Sequence, residues 1–68
     1  MTVWEFMSKM GRCEFFRIFV GTEDVTKDEP TSVEEVRLSH EERENVLGAL
    51  ERLALSVDLE NKIIYAEG

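Results

Sequence analysis

A single cysteine in a chain of 68 residues removes the device that most often holds so small a domain together. Cys13 can form no internal disulfide, so the core must close on apolar side chains, with a metal or a second chain as the remaining reinforcements. The length allows one domain, residues 1–68, near the lower limit of what folds alone, burying roughly 60% of the unfolded chain's surface. Core material is present, since 43% of the residues are hydrophobic and Trp4, Phe6, Phe15, Phe16 and Phe19 all fall in the first third. Self-association is a standing option for a core of this size.

Local signals outline the elements. Thr2 and Glu5 fit a capping box, and Val3, Phe6, Met7 and Met10 follow the spacing of one helix face, which predicts a docked helix from Val3 to Met10, stopped by Gly11. A Glu5–Lys9 pair adds a few tenths of a kcal/mol. From Arg12 to Val20 the residues turn β-branched and aromatic, with Cys13, Phe15, Arg17 and Phe19 on one face and Glu14, Phe16, Ile18 and Val20 on the other. Both faces are apolar, as in a central strand or one whose second face is covered by a helix or another subunit. Gly21-Thr22-Glu23-Asp24 reads as a turn and Val25 to Asp28 as a short edge strand, ended by Pro30.

Further along, Ser32 with Glu35 and Ser39 with Glu42 repeat the capping box. They predict a helical turn near Val33 to Val36, inside a loop from Pro30 to Ser39 expected to be mobile, and a helix from His40. The apolar pattern then fits either period, and a change from helix to strand is placed near Leu50. Leu53 to Asp58, a turn over Leu59-Glu60-Asn61-Lys62, and Ile63-Ile64-Tyr65 form a second hairpin. The expected fold is α+β: a small single domain, helix–β-hairpin–helix–β-hairpin, with helices packed on a short, mostly antiparallel sheet.

Charge is unevenly spread. Between Glu23 and Glu44 nine acids face three bases, Lys27, Arg37 and Arg43, so this stretch carries −6 of the net −7. Such a field repels nucleic acid and anionic lipid and attracts basic surfaces. Direct nucleic-acid binding and membrane binding are therefore disfavoured, and no window reaches the length of a membrane span. One cysteine and no signal-peptide pattern at the N-terminus point to a reducing, cytoplasmic setting. Part of the acid also has a structural reading, because carboxylates in a first helical turn are favourable with the helix dipole.

Candidate chemistry is sparse. Cys13 and His40 are too few for a dedicated zinc site. Cys13 at the start of an apolar strand reads as a buried or half-buried packing residue, and His40 after the Ser39 cap as an exposed helix-terminal one. Glu34/Glu35 and Glu41/Glu42 are paired in sequence, but adjacent helical positions diverge into water instead of sharing a desolvated cleft. Asp24, Asp28 and Glu29 imitate part of a calcium loop without its alternating oxygen ligands or its glycine. Isolated glycines form no phosphate-binding loop. No catalytic, metal or cofactor residues are assigned, and an enzyme is not expected. Phe15, Phe16 and Phe19 read as core in preference to a base-stacking platform. Trp4, just outside the first helix's stripe, reads as core or as an interface anchor.

Thr2-Val3-Trp4-Glu5-Phe6-Met7-Ser8-Lys9-Met10, followed by Arg12-Cys13-Glu14-Phe15 and Arg17-Ile18, resembles the start of short uncharacterised proteins of gut Gram-positive bacteria and their phages or mobile elements. The resemblance covers about the first twenty residues. It implies a helix followed by a strand hairpin and further short strands, and it transfers no activity.

The functional expectation is a small acidic protein-binding or regulatory module whose Glu34, Glu35, Glu41, Glu42 and Glu44, with Trp4, meet a basic surface on a protein partner. With the mobile-element resemblance, that partner could be a nucleic-acid-handling protein whose groove takes carboxylates in place of phosphates. The alternative is a structural or self-assembling homodimer built from Trp4 and the apolar strand, with the acid serving only solubility.

Overall fold

The computed structural model describes residues 1–38 and 44–68. Its first element is helix α1, Val3–Met10, and the capping box forms as the spacing predicts. The Glu5 amide donates to Thr2 Oγ1 at 3.1 Å, and the Thr2 amide donates to Glu5 Oε1 at 2.9 Å. Two amides that a helix start would leave unpartnered are thereby satisfied. Gly11 ends the helix at φ 126°, a backbone that side chains rarely allow. Val3 and Met7 are fully buried and Phe6 packs its ring against that of Phe16, centroids 5.8 Å apart, whereas Met10 at the end of the stripe is exposed.

The expected strand from Arg12 shortens to β1, Arg17–Val20. A strand is as long as its partners allow, and β1's inner neighbour, β4 (Ile63–Ala66), offers four residues. Upstream, Phe16 exchanges backbone hydrogen bonds with Thr31 at 2.8 and 2.9 Å, while Arg12 and Cys13 form a turn. The hairpin partner is also displaced. The return strand β2 is Glu23–Asp24, reached by a two-residue loop, and Val25 to Asp28 form the next turn. Gly21 opens that loop at φ +62°, the sign that a two-residue hairpin turn of this kind requires.

Helix α2 is Val33–Leu38, started by Ser32, whose Oγ accepts from the Glu35 amide at 3.1 Å. Of the segment expected as a mobile loop, residues 31–36 are instead packed: Thr31 and Ser32 are buried, and Val33 and Val36 enter the core, while Ser39 lies outside the described residues. Helix α3 is described as Glu44–Leu50; the start expected at His40, with its Ser39/Glu42 box, lies outside the described residues. The change near Leu50 is where the pattern places it. Strand β3, Ala54–Asp58, follows and returns as β4.

The sheet runs β2-β1-β4-β3, so the two hairpins lie side by side. Both hairpin pairings are antiparallel, and the central pair β1–β4 is parallel. The most apolar strands, Arg-Ile-Phe-Val and Ile-Ile-Tyr-Ala, take the middle, and the more polar ones take the edges. Three helices cover one face: Val3, Met7, Val33, Val36, Val46, Ala49 and Leu50 meet Phe16, Ile18, Ile64 and Ala66 in a single core. Met1 to Val3 flank the outer edge of β3, with Val3 donating to the Arg52 carbonyl and Ala54 to that of Met1, both at 2.9 Å.

Candidate partner-binding surface

Of the acidic candidates, the described ones belong to helices α2 and α3. Glu34 and Glu35 occupy the first turn of α2, which the Ser32 cap fixes in place. Glu34 Oε2 lies 3.9 Å from Arg12 Nε with both side chains well exposed, a pairing too loose and wet to neutralise the carboxylate. Glu41 and Glu42 lie outside the described residues, and Glu44 is the first residue of α3. Trp4 is not a core residue, as one of its readings had it. At 36% exposure it stands on the solvent side of α1, because the buried stripe is Val3 and Met7.

The other face of the sheet carries no helix among the described residues. Strand alternation turns Ile18 and Ile64 inward and leaves Arg17, Phe19, Ile63 and Tyr65 outward, in the register Arg17↔Ile63 and Phe19↔Tyr65. The Phe19 and Tyr65 rings stack at 5.6 Å with a 42° tilt, and the Arg17 guanidinium lies 5.3 Å from the Phe19 centroid, a cation–π distance. Tyr65 remains 37% exposed. On β3 the pairing jumps from Ala54↔Ala66 to Ser56↔Tyr65, which makes Leu55 the extra residue of a bulge and leaves it 66% exposed. The core expected of Phe15, Phe16 and Phe19 is thus built from Phe16. Phe15 is exposed ahead of the strand, and Phe19 belongs to the outer face. Tyr65 was not among the candidates; the signal was the apolar character of both Ile63/Tyr65 and Ile64/Ala66.

A polar network borders this face. Arg17 donates to Asp24 Oδ2 at 2.8 Å and to Asp28 Oδ1 at 2.9 Å. Asp24 also accepts from the Thr26 amide and hydroxyl and from the Asp28 amide. Burial alone would raise the Asp24 carboxyl, but the hydrogen bonds from Thr26, Arg17 and Asp28 outweigh it and hold its pKa at about 2. The same partner holds the Arg17 guanidinium above its usual value. The carboxylate that could have imitated a calcium ligand is therefore the anchor of a turn, in which Lys27 and Asp28 both take left-handed backbone, φ 51° and 66°. At the far end Asp58 accepts from the Asn61 side chain and amide, which lowers its pKa.

Cys13 is exposed in the Arg12–Cys13 turn, contrary to the packing role expected of it, because the strand that would have buried it starts four residues later. His40, expected as an exposed helix-terminal residue, lies outside the described residues. Among the described residues no three His, Cys, Asp or Glu side chains are grouped to hold a metal ion, and no helix is long and apolar enough to cross a membrane. The chain matches no protein-family model, no curated protein and no solved structure.

Proposed function

We propose that this chain is a small acidic protein-binding module that recognises a basic surface on a larger partner in the cytoplasm. The observation that carries this reading is the concentration of −6 in residues 23–44 of a −7 chain. From outside the segment, Arg12 pairs with Glu34, and Arg17 with Asp24 and Asp28. A field of this kind speeds and selects association with cationic partners and repels nucleic acid. Glu34, Glu35, Glu41, Glu42 and Glu44 are the proposed long-range steering groups, with Trp4 as an apolar anchor. A mobile-element origin would fit a role in occupying a host protein's basic groove.

The test is a pull-down at low and moderate salt, comparing the wild type with a variant in which those five glutamates are glutamine. A partner held by the wild type, weakened by salt and lost by the variant is the expected result. Undiminished capture by the variant would overturn the electrostatic reading. A homodimer closed through the sheet's uncovered apolar face is the competing reading, and a sedimentation coefficient that stays monomeric through the micromolar range removes it.

A further inference from the structure

Taking the protein-binding reading as its basis, we infer that the helix-free face of the sheet, centred on Phe19 and Tyr65, is the docking surface for one arginine- or lysine-bearing segment of the partner. Sheets made wholly of parallel strands are found almost always with both faces covered, and the central parallel pair of this mixed sheet shares their character of being apolar on both sides. Here the central parallel pair has a filled inner face and an outer face on which, among the described residues, Phe19, Ile63 and Tyr65 meet no helix. The edges of the sheet are guarded by contrast: Met1 to Val3 flank the start of β3, a bulge interrupts it at Leu55, and β2 is two residues long. The face, not the edge, is what remains to be covered.

The chemistry of the face selects a cation. It already holds one guanidinium, that of Arg17, between the Phe19 ring and two carboxylates. Tyr65 continues the same aromatic surface, with Asp58 on the neighbouring strand. Arg17 against Asp24, Asp28 and Asp58 leaves these four side chains at −2, within a chain of −7. A second copy would bring the same excess of negative charge, and a nucleic acid would bring more. Size points the same way. Four strands at the usual spacing, four residues long at the centre, span roughly 19 by 13 Å, or about 250 Å² in plan. A stable dimer of standard size buries about 800 Å² on each partner, whereas one helix, about 10 Å across, or one extended segment is enough to cover this face.

The test is an amide chemical-shift titration of the isotope-labelled full chain at low salt with a capped peptide of alternating arginine and leucine. An alternating glutamate–leucine twin is the control. Shifts should centre on Phe19, Ile63 and Tyr65, and affinity should fall about tenfold in Tyr65→Ser, as for an aromatic anchor. Tyr65→Leu keeps the strand's apolar surface while removing the ring, so a several-fold loss in that variant reports the aromatic contact and not unfolding. Shifts confined to Glu34 and Glu35 and indifferent to Tyr65→Leu would overturn this surface and leave the basic-partner reading standing. No shifts anywhere with the arginine peptide would overturn both. Equal binding of the glutamate twin, or concentration-dependent shifts at Phe19 and Tyr65 without peptide, would replace the cationic segment with another occupant and overturn the inference.

Discussion

Arg17 and Asp24 face each other diagonally across the first hairpin, and their 2.8 Å ion pair ties the central strand to the last residue of β2. The hydrogen bonds to Asp24 hold its carboxyl far below the ordinary carboxylate range, at about 2 against a reference value of 3.8. A depressed folded pKa contributes stability that is fully present above the unfolded value and lost as pH falls through the folded one. The window therefore runs from about pH 4 down to about pH 2, and the shift is worth on the order of 2 kcal/mol. In urea melts the wild type should lose that amount across the window. Asp24→Asn should lack it already at pH 7 and show a flatter dependence below pH 4.

Thr2 has two tasks, capping α1 and sitting opposite Leu53 at the edge of β3. Thr2→Ala should cost about 1 kcal/mol, as for other N-caps. Thr2→Ser retains the hydroxyl and should restore most of it. Urea midpoints of the three proteins decide the matter, and an unchanged midpoint in Thr2→Ala would show that the cap contributes nothing to stability.

Phe16 is the largest fully buried side chain and stands where α1, β1 and the Thr31 bridge meet. Its replacement by alanine removes about 3–5 kcal/mol. That equals the whole stability expected of a core this small, so Phe16→Ala should be largely unfolded by circular dichroism at 25 °C. Ile64→Val, at about 1 kcal/mol, should remain folded with a lower midpoint.

Cys13 should react with a thiol reagent in the native protein at the rate of an exposed thiol, without denaturant, because the turn leaves it in solvent. Cys13→Ser should change stability by less than about 0.5 kcal/mol. Slow, denaturant-dependent labelling would restore the buried role that its neighbours suggest.

Much of the fold is legible locally. The Thr2/Glu5 box and the Ser32 cap place the starts of α1 and α2, because an amide that needs a partner finds it within three residues. The second hairpin and the end of the helix at Leu50 follow from a change of apolar period, which depends on nothing distant. Less legible is the extent of the first strand. Arg12 to Val20 are uniformly strand-like, yet only the residues that meet β4 and Thr31 are paired, since a ladder has the length of its partner. The acidic candidates were visible as charge, whereas the Phe19–Tyr65 surface joins two strands more than forty residues apart in the chain.

What the sequence determined by itself, then, is where elements begin, which faces are apolar, and that the chain is acidic in its middle. The tertiary structure alone decided that β1 and β4 lie parallel at the centre, because alternation specifies the face a side chain takes and not the neighbour it meets. It also decided which of two equally apolar faces received the helices. With α1, α2 and α3 all on the Ile18 and Ile64 side, Phe19 and Tyr65 were left to face outward.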